Sequence, residues 1–217
     1  TSIKKIEEQF GQIRIVNPLP DNYNVAPTQK AYVITNSAPD QIESFHWGLL
    51  PFWSKEGKLS GRLINARSEG IAAKPSFRLP IRKRRCLVLA DSFYEWKTIN
   101  GQKIPYRILL PNDDLLVFAG IWEIWGKGQD RIPTFSIITI APNKEMSEVH
   151  NRMPAVLLTE AEQQAWLADQ ELSEILPLLQ TLPDDTLHLY RVSTKVNGVR
   201  NSGKALHEKW EAPPTLF

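Results

Sequence analysis

Cysteine is almost missing from this chain: Cys86 is the single one among 217 residues. One thiol closes no internal disulfide and builds no cysteine metal cage, which fits a reducing compartment. Long apolar runs are also missing, so nothing in the sequence predicts a membrane span. No charged-then-apolar leader opens it, so secretion has no support. Histidine is scarce, and His46, His150, His188 and His207 show no metal-ligand spacing. No metal is therefore expected. An excess of either charge is missing as well: 26 Lys and Arg face 24 Asp and Glu, for a net charge of +2. Total charge therefore does not announce a nucleic-acid partner. Repeats and low-complexity segments are absent, and the prolines and glycines are spread as punctuation rather than gathered into a linker. A single domain over residues 1–217 is expected.

Local charge says more than the total. Arg78, Arg82, Lys83, Arg84 and Arg85 form one basic run; Arg191, Lys195, Arg200 and Lys204 form another. A basic face on a near-neutral protein can track phosphates. On charge alone, a solvated surface without a partner is the better reading.

The hydrophobic pattern predicts mostly strands. Residues 31–35, 41–49, 85–89, 105–110, 115–123, 134–140 and 187–192 are rich in β-branched and aromatic side chains and flanked by turn formers. Asn112-Asp113-Asp114 reads as a hairpin turn between two of them. Residues 2–10 read as a helix with Ile3, Ile6 and Phe10 on one side. A short helix over 141–149 would deliver His150 at its end. Thr159 with Glu162 is a capping-box pattern opening a helix to Leu167. Ser173 is expected to cap another short helix, disturbed by Pro177. The sum predicts an α+β fold whose mainly antiparallel sheet forms a barrel-like core with surrounding short helices.

Three polar residues stand inside apolar segments. Asn65 lies in Ile64-Asn65-Ala66-Arg67, Glu95 in Ser92-Phe93-Tyr94-Glu95-Trp96, and His150 in Val149-His150-Asn151-Arg152. In an extended strand, Glu95 shares a face with Phe93 and lies opposite Tyr94 and Trp96. Burial between aromatics would raise its pKa, which suits proton transfer near neutral pH. The bland alternative is a solvent-facing glutamate on an amphipathic strand. As an imidazole, His150 can donate or accept a proton, or it simply caps a helix end. Asn65 positions a reacting group without adding charge, or it is a turn former. Arg152 is an anion ligand or a surface ion-pair donor. Trp47 and Trp53, set around Gly48 and Pro51, are either core rings or a loop surface that stacks on bases. None of these supplies a strong nucleophile. Cys86 sits in an apolar strand, where a thiol is inert. Ser68 and Ser92 lack a hydrolase elbow.

Taken in order, the segments resemble the SRAP family, the SOS-response-associated peptidase-like proteins. The matching pieces are Tyr23-Asn24-Val25-Ala26-Pro27-Thr28-Gln29, Trp47-Gly48-Leu49-Leu50-Pro51-Phe52-Trp53, Ile64-Asn65-Ala66-Arg67-Ser68-Glu69, Pro75-Ser76-Phe77-Arg78 and Arg84-Arg85-Cys86-Leu87-Val88. Ala90-Asp91-Ser92-Phe93-Tyr94-Glu95-Trp96, Phe118-Ala119-Gly120-Ile121-Trp122-Glu123, His150-Asn151-Arg152-Met153-Pro154 and Val192-Ser193-Thr194-Lys195-Val196-Asn197 complete the set. Each piece is weak alone; the ordered set is specific.

The resemblance implies recognition of abasic sites in single-stranded DNA, at replication forks or junctions. It implies a covalent link through an N-terminal cysteine whose amine forms a Schiff base and whose thiol closes a thiazolidine. By position, Asn65 would orient the cysteine, while Glu95 and His150 would handle protons. Arg67 and Arg152 would hold phosphates, and Trp47 and Trp53 would stack on bases or wedge them apart. No cofactor is implied, and a monomeric cytoplasmic protein is expected, associated with the nucleoid when bound to DNA. Family members begin Met-Cys-Gly-Arg, whereas this chain begins at Thr1. The expectation is that the cysteine stands a few residues before Thr1, and that the chain from Thr1 does not crosslink. Two competing readings remain: a cysteine-type autopeptidase using the same acid–base pair, and a non-covalent single-strand-binding module.

Overall fold

The computed structural model describes residues 3–11 and 13–211. Ser2, included in the expected first helix, lies outside them. The helices are α1 (Ile3–Phe10), α2 (Pro80–Lys83), α3 (Lys144–Ser147), α4 (Glu160–Leu167) and α5 (Leu172–Ile175). The strands are β1 (Arg14–Ile15), β2 (Lys30–Thr35), β3 (Ala38–Trp47), β4 (Asn65–Arg67), β5 (Arg85–Ala90) and β6 (Phe93–Ile99). They continue with β7 (Gln102–Leu109), β8 (Leu116–Trp125), β9 (Ile132–Ile140), β10 (Met153–Pro154) and β11 (His188–Arg191). The architecture is α+β, with a large mixed sheet and few helices.

The large sheet has eight strands, ordered β1-β3-β2-β5-β8-β9-β10, with β4 added on β9. β5, β8 and β9 are buried almost throughout. Strands covered on both faces read as continuous apolar runs, which explains the unbroken hydrophobicity of these segments.

The expected mainly antiparallel sheet is corrected to a mixed one: β1 with β3, β3 with β9, and β4 with β9 run parallel. The cause is an excursion of the chain. β3 ends beside Thr134 and Phe135 of β9; the chain loops out from Gly48 and returns as β4 beside Ile137–Thr139. β3 and β4 therefore run along β9 in the same direction, and no turn residue announces that.

A second sheet of three strands is ordered β11-β7-β6. Its β6–β7 hairpin turns at Asn100-Gly101, where both residues have positive φ (49° and 77°). Asparagine and glycine accept that conformation best. The Asn112–Asp114 segment is corrected from a hairpin to a connection, since β7 belongs to the small sheet and β8 to the large one. The capping box of Thr159 and Glu162 is present at the start of α4. Ser173 is not a cap: it lies inside α5, whose cap position is Glu171, and Pro177 falls in the 3-10 turn that follows. The helix expected over 141–149 shortens to α3, because Asn143 caps it by accepting from the Met146 N–H.

Candidate active cleft

The site is built around the last residues of β9. On one edge, Ile137 donates its N–H to Ile64 O and receives β4 alongside; Ser68 N–H reaches Thr139 O. On the other edge, Ala155 N–H donates to Ile138 O, next to β10. Strand alternation buries Ala66 completely and turns Asn65 and Arg67 outward. Both line a cleft of about 980 Å³ together with Trp47, Glu95, His150 and Arg152. Six of the seven residues singled out in the sequence thus share one cavity. Trp53 does not line it.

Glu95 reaches the cleft from β6. Phe93 packs edge-on against Phe118 of the main core. Tyr94 and Trp96 face the other way, onto Val192, Val196 and Leu206. Glu95 follows Phe93, and its Oε1 lies 3.7 Å from His150 Nδ1. Burial pushes the Glu95 carboxyl up, opposed by His150, by the Trp96 N–H and by Lys103. His150 follows α3, its own N–H bonded to Met146 O. Its Nδ1 lies 3.2 Å from both the N–H and the carbonyl oxygen of Arg152. That backbone can donate to a bare Nδ1 or accept from a protonated one, so either tautomer of the ring is accommodated. Carboxyl and imidazole together form an acid–base pair open to solvent on one side.

The two arginines differ. Among the described residues, Arg67 makes no ion pair. Arg152 is committed: Nη1 donates to Glu69 Oε1 at 2.6 Å and Nη2 to Glu69 Oε2 at 2.8 Å, and Nη2 also reaches Thr139 O. Among the described residues, the Asn65 side chain makes no hydrogen bond, although it is exposed to the cleft. Trp47 is half-buried, its Nε1 donating to Ile64 O at 2.9 Å. Phe52 and Trp53 are each 55% exposed on the loop that leaves β3. That loop is braced from beneath, by Leu50 N–H to Thr134 Oγ1 and by Trp125 Nε1 to Ser54 O.

Residues 1–199 match the family described as SOS response associated peptidase (SRAP). The chain belongs to the SRAP family. It is 37% identical to abasic site processing protein YoqW of Bacillus subtilis, covering 96% of this chain and 97% of that one. It is 32% identical to abasic site processing protein HMCES of Gallus gallus, over 83% of this chain and 63% of that protein. A crystal structure of a protein from Bacteroides thetaiotaomicron superposes with a TM-score of 0.84 at 29% identity, covering 95% of each chain.

Other SRAP motifs in this chain are structural. The Asn24 amide donates to the carbonyls of Val196, Gly198 and Asn201, and Trp96 Nε1 donates to Asn197 Oδ1. Tyr23-Asn24 and Ser193–Asn197 are thus two halves of one clamp at the cleft rim. Cys86 is fully buried and burial pushes its thiol pKa up, so it stays protonated and inert. The first basic run breaks up: Arg84 pairs with Glu123 at 2.7 Å, Lys83 lies 3.7 Å from Asp169, and Arg85 is buried against backbone carbonyls. In the second run, Arg191 stacks on Trp210 at 3.5 Å. Sequence reasoning missed Glu69 as the partner of Arg152. It stands in the quoted Asn65–Glu69 piece, but 83 residues separate the two, and no local signal joins them. Among the described residues, no helix is long and apolar enough to cross a membrane.

Proposed function

We propose that this SRAP protein senses abasic sites in single-stranded DNA and becomes covalently attached to them. The observation that carries the reading is the meeting of Asn65, Glu95, His150 and Arg67 in one cleft. An abasic sugar in its open form carries an aldehyde, which needs an amine and acid–base help. The amine adds to the aldehyde carbon and water leaves, giving a Schiff base. The thiol sulfur then adds to the imine carbon while its proton passes to nitrogen, closing a thiazolidine. The SRAP resemblance assigns amine and thiol to an N-terminal cysteine.

Glu95, kept protonated to higher pH by burial, gives its proton to the sugar ring oxygen and later to the departing water. His150 takes up and returns protons beside it. Asn65 orients the nucleophile by hydrogen bonding without altering charge. Arg67 holds a neighbouring phosphate, joined by Arg152. Trp47 faces the strand from inside the cleft, and Trp53 with Phe52 meets stacked bases at a single-strand to double-strand junction. The protein acts as a monomer at such junctions. The names of YoqW and HMCES as abasic site processing proteins support this reading. The peptidase in the family description fits the same pair acting on an amide, as self-processing that exposes the cysteine.

The test is a denaturing-gel assay on single strands with and without one abasic site. The chain from Thr1 is compared with the same chain extended to a Cys-Gly-Arg start. A band shifted only by the extended protein, only on the abasic strand, is expected. No band from a folded extended protein refutes the covalent reading.

A further inference from the structure

Both outer nitrogens of the Arg152 guanidinium are engaged before any ligand arrives. Its two outer nitrogens meet both oxygens of Glu69 in a fork. Nη2 also meets Thr139 O, while Nε is buried and, among the described residues, makes no hydrogen bond. Arg152 lines the cleft, whereas Glu69 stands outside the wall with its side chain 60% exposed. An acidic side chain thus occupies the anion-binding face of a cleft arginine from the solvent side. A carboxylate and a phosphodiester present the same two-oxygen edge to a guanidinium.

We propose that Glu69 stands in for a backbone phosphate: it holds Arg152 in the free protein and yields it to a phosphodiester of the bound strand. This rests on the single-strand reading above. Three features support an exchange of anions. Arg152 and the Glu69 and Ser68 hydrogen bonds hold the Glu69 carboxyl down at about 2, so protons do not release it at ordinary pH. A competing anion can. The Glu69 side of the pair is open to water and salt, its side chain 60% exposed against 18% for Arg152, so the attraction is screened there and a competing anion can reach the guanidinium from that side. A strand already held by Arg67 and by stacking delivers its phosphate at high effective concentration, which a free phosphate ion lacks. The exchange therefore favours a chain of phosphates over a single one.

The test compares wild type, E69Q, R152Q and the double variant by fluorescence anisotropy. The probes are a single strand bearing one stable abasic analogue and an intact strand of equal length. Melting curves confirm folding, which the exposure of Glu69 favours. E69Q is expected to bind about fivefold more tightly at low salt, the upper end for releasing an exposed ion pair. In the R152Q background the same change is expected to give little or nothing. If E69Q weakens binding as R152Q does, Glu69 orients Arg152 and the proposal falls. Equal gains in both backgrounds also overturn it, since they show only a loss of general repulsion. Wild type that binds both strands equally overturns abasic recognition, while an Arg152-dependent gain in E69Q still upholds the exchange. Wild type that binds neither strand overturns both.

Discussion

Arg85→Met should destabilise the fold by about 3 kcal/mol, and the structure shows how that figure arises. Arg85 opens β5 and is 1% exposed. Its Nε donates to Trp166 O at 2.7 Å, and its Nη1 to Ile81 O at 3.1 Å and Arg82 O at 2.7 Å. Its Nη2 donates to Ala168 O at 2.5 Å. These carbonyls belong to the ends of α2 and α4, where helices leave acceptors unmatched and carry partial negative charge. One guanidinium thus closes two helix ends. Methionine keeps much of the apolar stem and loses every donor. Two of the orphaned carbonyls, Trp166 and Ile81, are buried. Each costs roughly 1–3 kcal/mol, while the other two can recruit water. Removing a buried charge returns part of that cost, roughly 1 kcal/mol or more, which leaves about 3 kcal/mol. For a chain of this size the melting temperature should fall by about 6–12 °C. Urea denaturation and calorimetry read both numbers. Arg85→Lys should fall between, since an ammonium keeps the charge but cannot span both helix ends. A methionine variant within about 1 kcal/mol of wild type would show that desolvation cancels the bonds, and the reasoning would fail.

Glu95→Gln should slow crosslinking by the extended protein roughly a hundredfold, the lower range for a lost acid–base group. It should also change the pH dependence of stability. The folded-state pKa of Glu95 is raised, so its favourable contribution is full below the unfolded carboxyl pKa and is lost as pH rises through the folded value. Wild type should therefore lose melting temperature relative to E95Q as pH rises; a pH-independent difference would count against the assignment. Gly48→Ala should cost about 2–3 kcal/mol, because Gly48 has φ +129° and a Cβ would stand 2.8 Å from Ser60 O. An unchanged urea midpoint would show that the loop carrying Phe52 and Trp53 is not pinned there.

What was legible in the sequence was local. Two-residue alternation placed Glu95 with Phe93 and against Tyr94 and Trp96, and the structure does the same. Thr159 and Glu162 announced a helix start that is present. Turn chemistry was less informative: it shows that a chain bends, not which strands then pair. Asn112–Asp114 bends between two sheets, while the hairpin lies at Asn100-Gly101. The parallel pairings of β3 and β4 with β9 depend on where a long excursion returns, which no window of residues encodes.

The same physics explains why the site residues sit where they do. Along most of its length β9 is paired regularly, with β8 from Trp125 to Gly120. Beyond Ile137 the regular neighbours have diverged. The exposed edges are filled by two short inserts, Asn65–Arg67 and Met153–Pro154. An unfilled edge there would leave buried backbone donors and acceptors unmatched, so the inserts are required by the sheet itself. Inserts this short place Asn65 and Arg67 at the limits of a strand, and they place His150 and Arg152 just before one. There the side chains are free of the flat packing of the sheet and can turn into the cavity. This is why each motif looks weak alone. The motifs are the ends of segments that the sheet needs for its hydrogen bonds, and only the closing of β9 from both edges brings their polar residues to one place.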